Sequence, residues 1–130
     1  MELRAADLGL TTVHQFFWGS GILSSVLDNA PTYLNFLTAV FGLHGLSLEN
    51  PAHVQAFLGN AAAVCYLIAV SLGSAFFGAC TYIGNGPNFM VKSIAESSGV
   101  KCPGFFGYVL KYALPILIPQ FVIISVLFPR

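Results

Sequence analysis

Ser24-Ser25-Val26-Leu27-Asp28-Asn29-Ala30-Pro31-Thr32 is a polar knot between two apolar arms. A carboxylate inside a run that otherwise reads as membrane-buried is costly, because it must be hydrated, paired or neutralised there. Pro31 removes one backbone donor and biases Ala30 away from helix, so the chain is expected to break at this point. A second break of the same kind follows at Tyr82-Ile83-Gly84-Asn85-Gly86-Pro87-Asn88. Two hydrophobic segments interrupted by amide, glycine and proline are the sequence pointer to a binding site at the middle of a membrane.

Outward from these breaks the composition sets the solvent. Of 130 residues, 56% are hydrophobic and 8% charged, and the mean hydropathy is +0.79, whereas a soluble domain carries roughly 25% charged residues. The chain reads as an all-α, polytopic membrane protein. Its formal net charge is zero and no basic run occurs, which excludes the electrostatic footprint of a nucleic-acid binder. Cys65, Cys80 and Cys102 are odd in number and widely spaced, fitting neither a disulfide framework nor a zinc pattern. Met1 is followed by Glu2, Arg4 and Asp7 with no short apolar core, so no secretory signal is expected and the start reads like the middle of a longer protein.

The first break divides residues 11–43 into two arms. Thr11 to Leu27 is apolar, with small residues Gly19, Ser20, Gly21, Ser24 and Ser25 that let helix backbones approach closely in lipid. Thr32 to Leu43 is about a dozen residues, about 18 Å of helix against a hydrocarbon core of roughly 30 Å. Together they predict a re-entrant helical hairpin with Asp28 to Pro31 at its tip. Asn50-Pro51 predicts a helix start, opening a discontinuous helix over 51–98 that runs through Phe57, continues from Ala61 to Thr81 and breaks near Gly84-Asn85-Gly86-Pro87. Beyond the break, Lys92 and Glu96 share one face at a spacing of four. Residues 104–128 predict a final membrane span, kinked by Pro115 and Pro119. Lys92, Lys101 and Lys111 flank one side and Arg4 alone the other, which places 92–103 in the cytoplasm, the hairpin opening outside and the C-terminus outside a cell inner membrane.

The segments Phe16 to Thr32 and Thr81 to Asn88 resemble the C-terminal repeat of the ion transporter superfamily. Its members include divalent-anion/sodium symporters, citrate-metal symporters, arsenite permeases and sodium/proton antiporters of the NhaD type. The nearest likeness is to bacterial proteins described as citrate transporters or sodium:proton antiporters. The resemblance covers about Thr11 to the end and implies a homodimeric carrier of two inverted repeats that moves like an elevator. On this reading the chain is a C-terminal fragment, half of such a carrier, and the missing N-terminal repeat is its partner beside the lipid bilayer. Where the anion symporters have Ser-Asn-Thr at the tip, this chain has Asp28-Asn29-Ala30. That departure shifts the expectation from anion symport toward sodium/proton antiport, with citrate or another carboxylate as the alternative substrate.

The candidate ion or substrate site therefore comprises Asp28, Asn29, Pro31, Thr32, Thr81, Gly84, Asn85, Gly86, Pro87 and Asn88. Unwound backbone offers carbonyls to a cation, and helix N-termini offer amides to an anion. Asp28, Asn29 and Asn85 are the expected sodium ligands, and sodium and a proton competing for the Asp28 carboxylate would suffice for antiport. Sodium and protons are coupling ions here, and no cofactor is expected. Blander roles exist for the same residues: Asp28 as a hydrated helix cap, Asn85 and Asn88 as partners of broken backbone, Thr32 and Thr81 bonded to their own helices. His14, His44 and His53 show no ligand pattern, and Trp18 reads as packing. The chain carries no nucleophile-base pair, which disfavours an enzyme, whereas a small accessory membrane protein has no use for two such breaks.

Overall fold

In a computed structural model that describes residues 9–128, the chain is helical throughout, with no strand among the described residues. α1 (Val13–Ser24) starts at a capping box in which Thr12 accepts from the Gln15 amide while the Gln15 side chain accepts from the Thr12 amide. Its last turn is closed by bonds from the Ser25 and Leu27 amides to the Gly21 and Leu23 carbonyls. Asp28 is then extended, and α2 (Asn29–Leu43) begins directly after it. The turn between the arms is thus Ser25 to Asp28, not Asp28 to Pro31. Ala30 is helical, against expectation, because Pro31 falls in the first turn of α2, where an amide has no intrahelical acceptor to lose. α2 ends at His44 and Gly45; Gly45 takes φ +67° and lets the Leu46 amide reach back to Phe41. The arms are 12 and 15 residues long, about 18 and 22 Å.

α3 (Pro51–Leu58) starts at Asn50 as expected, with the Asn50 side chain accepting from the Ala52 amide. It does not continue into the next segment. Gly59 and Asn60 interrupt it, and Asn60 caps a separate helix, α4 (Ala61–Phe76), by accepting from the Ala62 and Ala63 amides. A 3-10 turn, Phe77–Cys80, extends α4 to the second break, and α5 (Gly86–Ser97) follows with Pro87 in its first turn. α6 (Phe105–Leu127) closes the chain. Its prolines do not break it: the turn at Val109–Ala113 widens to π geometry just before Pro115, placing the irregular hydrogen bonding where the proline removes a donor.

Two apolar clusters hold these helices. Phe16, Val40, Phe41, Phe57 and Val70 fill the space between α1, α2, α3 and α4, with Phe41 and Phe57 stacked at 4.3 Å. Phe17, Ala69, Phe77 and Phe121 join α1, α4 and α6, with Phe77 stacked on Phe121 at 4.0 Å. Trp18 belongs to this second cluster and donates from its indole to the Ser125 hydroxyl, so it is an internal packing residue. Ala61–Cys80 and Phe105–Leu127 are long and apolar enough to cross a membrane. The outer face of α6 exposes Ile116, Val122, Ile123, Val126 and Leu127, which suits contact with lipid chains and not with water. Arg4, which enters the orientation argument, lies outside the described residues, as do Glu2, Asp7 and the C-terminal Arg130.

Candidate functional site

The two breaks meet. α1 and α4 cross on small residues, Ser20, Gly21 and Ser24 against Gly73, Ser74 and Gly78, and the contact has no room for larger ones. A methyl group at Gly73 would lie 2.5 Å from the Phe17 carbonyl oxygen. One at Gly78 would lie 2.6 Å from Asn29 Oδ1, so the Asn29 amide rests against the Gly78 backbone. This close approach brings the end of α1, the first residue of α2 and the end of α4 to one point.

Hydrogen bonds then tie the point together. Ser24 Oγ is 2.5 Å from the Ser74 carbonyl oxygen and 2.6 Å from the Asn29 side-chain amide. A hydroxyl has one proton, so Ser24 donates to the carbonyl and accepts from the Asn29 nitrogen, or donates to the Asn29 oxygen and leaves the carbonyl to another donor. Thr81 Oγ1 donates to the Ser25 carbonyl at 2.5 Å and accepts from the Gly84 amide at 3.0 Å. A methyl group at Gly84 would lie 2.5 Å from the Ser24 and 2.7 Å from the Ser25 carbonyl oxygens. Thr81 therefore clasps the hairpin, and Gly84 is the residue small enough to let it. Ser74 Oγ is buried with no hydrogen-bond partner among the described residues.

The predicted residues divide into three sets. Asn29, Thr81 and Gly84 converge on the junction. Thr32 is buried, but its hydroxyl bonds back to the Asp28 carbonyl at 3.0 Å, so it serves the first turn of α2. Asp28, Pro31, Gly86 and Pro87 are exposed, and Asn85 is half-buried at the start of α5. Asn88 faces a separate cavity beside Tyr82 and Lys92. Among the described residues no hydrogen bond links Asp28, Asn29 and Asn85 to one another, so the three expected sodium ligands do not form a closed shell here. Ser24, Ser25 and Ser74 were not among the candidates, although they supply most of the junction's oxygens. The spacing of Ser20 with Ser24 and of Ser74 with Gly78, four residues each, was the available signal.

The two helix starts at the breaks lack the side-chain caps of α1, α3 and α4, as does the start of α6 at Gly104. Thr12, Asn50 and Asn60 each cap their own helix with a side chain, whereas Asp28 and Asn85, residue types equally suited to capping, make no such bond. The first amides of α2 and α5 stay available, with the positive end of each helix dipole behind them. Beside the Gly84 N–H and the Asn29 amide, the junction presents hydroxyl and carbonyl oxygens, the donors that hard cations take. A larger cavity of about 650 Å³ lies elsewhere, lined by Thr12, His14, Tyr66 and Ser125.

A family model described as Putative citrate transport matches residues 1–129. No curated protein and no solved structure matches the chain.

Proposed function

The chain belongs to the Putative citrate transport family, a transporter family and not an enzyme class, and from that membership we propose that it carries citrate or a related carboxylate across a membrane together with a cation. The observation that carries the reading is the pair of uncapped helix starts on either side of the junction. Amides at the starts of α2 and α5, with Asn29 and Asn85 nearby, suit the carboxylates of such an anion. Asp28 at the same tip would repel the anion, so a cation must neutralise it. Sodium held by Asp28, Asn29 and the junction carbonyls, or a proton on Asp28, does so, and either makes transport depend on the cation's gradient.

Asp28, Pro31, Gly86 and Pro87 are exposed, which supports a site with one wall in this chain and another supplied by further protein. What the resemblance implies for that further protein is the N-terminal repeat of the same carrier, in a homodimer. The NhaD-type antiport remains the second reading, favoured by Asp28-Asn29-Ala30 at the tip: sodium and a proton would exchange on Asp28 with no anion carried. The test is uptake of radiolabelled citrate by the full carrier in liposomes under an inward sodium or proton gradient. We expect gradient-driven citrate accumulation that Asp28→Asn abolishes while membrane insertion is kept. Sodium-driven proton movement without citrate uptake would overturn the first reading in favour of the second. An Asp28→Asn carrier with the parent's cation dependence would remove Asp28 from both.

A further inference from the structure

The second break is held by α6 as well as by the hairpin. After the 3-10 turn Phe77–Cys80 the chain is extended at Thr81, with φ −133° and ψ 157°, so the Ala79 carbonyl has no helical amide ahead of it. Among the described residues no backbone amide outside that turn reaches this carbonyl. The Tyr108 hydroxyl of α6 does, donating at 3.0 Å in a partly buried contact. The Tyr108 ring lies 5.8 Å from the Tyr82 ring, and Tyr82 also meets Phe105 edge-on at 5.5 Å and Lys92 Nζ at 5.3 Å. Ala79 and Tyr82 are thus both gripped from α6, and Thr81, between them, clasps the Ser25 carbonyl and the Gly84 amide. The π turn of α6 starts at Val109, the residue after Tyr108, and its wider geometry sets which way Tyr108 faces relative to the rest of the helix.

We propose, resting on the transport reading above for what is bound, that Tyr108 is a positioning residue of the carrier: by satisfying the Ala79 carbonyl and bracing Tyr82 it holds the second break in the geometry in which Thr81 and Gly84 fit the hairpin tip. A phenyl ring would fill the same space, so packing alone gives no use for the hydroxyl. Its use is the carbonyl, which is costly to leave without a donor in a partly buried contact. Released, Ala79 turns toward another donor or a cation, and the backbone of Cys80 and Thr81 moves with it. A break that is looser when empty loses affinity and not turnover. Bound ligand restores the fitted geometry, so removal of the hydroxyl lowers the fraction of carriers ready to bind and raises the apparent dissociation constant by the same factor. A fold that is merely destabilised does the reverse, leaving fewer active carriers at an unchanged half-saturating concentration.

The experiment compares Tyr108→Phe with the parent, as the full carrier, in liposomes and in detergent. A hydrogen bond of this kind is worth about two- to tenfold in an equilibrium, so the half-saturating concentrations of citrate and of the coupling cation should rise by about that factor while the maximal rate stays within about twofold. Hydrogen exchange over residues 79–85, followed by mass spectrometry without substrate, should quicken, with peptides of α2 and α3 unchanged. Tyr108→Leu, which also takes the ring away from Tyr82, should move both readouts further in the same direction. Tyr112→Phe, on a side chain 52% exposed, should move neither. Circular dichroism establishes that each variant is folded. Unchanged exchange over 79–85 in both Tyr108 variants, a fall in maximal rate at the parent's half-saturating concentrations, or an equal effect of Tyr112→Phe would each overturn the role given to Tyr108. A parent carrier that takes up no citrate overturns the transport reading instead, and the exchange comparison then decides the role of Tyr108 by itself.

Discussion

Replacing Gly84 with alanine should disable the carrier while leaving it in the membrane. The added methyl would lie 2.5 Å from the Ser24 and 2.7 Å from the Ser25 carbonyl oxygens, where ordinary contact begins at 3.4 Å. The hairpin tip must therefore withdraw by about 0.7 to 0.9 Å, and the obstacle is backbone that no rotamer change can move aside. Such overpacking costs about 1 to 3 kcal/mol. A displacement of nearly 1 Å at groups that position a substrate costs on the order of 100-fold in rate. Gly42→Ala is the comparison, since a methyl there meets nothing within 4 Å and a helix-interior glycine replaced by alanine gains about 0.5 to 1 kcal/mol. The assay is citrate uptake in liposomes with thermal unfolding in detergent alongside. The reasoning is refuted if Gly84→Ala melts and transports as the parent does, or if Gly42→Ala is damaged equally.

Ser24→Ala should cost about 1 to 3 kcal/mol in detergent unfolding, because it leaves the Ser74 carbonyl and the Asn29 amide without their partner in a buried contact. Ser20→Ala, whose hydroxyl bonds only the Phe17 carbonyl of its own helix, should change stability far less, and equal losses would show that the junction bonds add nothing. In a carrier stripped of its native cysteines, single cysteines at positions 47 and 98 should label from outside and inside respectively. Labelling of both from one side would mean that the segment between them does not cross the membrane.

Long apolar runs and the two polar interruptions made the helices legible from sequence, since a proline, glycine or extended cap residue acts through its own backbone. The exact break was less legible: Pro31 looked like its cause, yet a first-turn proline loses no intrahelical bond and Asp28 carries the change of direction. Asn60 escaped notice for a related reason. An asparagine after a glycine reads as an interruption only once the preceding helix has ended, and the apolar run on both sides hid that end.

By itself the sequence determined that this chain is an all-helical membrane protein with two broken segments, because those properties follow from how each residue treats water and its own backbone. Only the tertiary structure decided that the breaks meet, and which of their residues do so. Asn29, Thr81 and Gly84 converge with Ser24 and Ser74, while Asn88 turns toward another cavity and Asp28 stays at the exposed tip. The reason is the crossing of α1 on α4: small residues at Ser20, Gly21, Ser24, Gly73, Ser74 and Gly78 set how near the two backbones come. That distance depends on matched pairs in segments some fifty residues apart, which no local pattern contains.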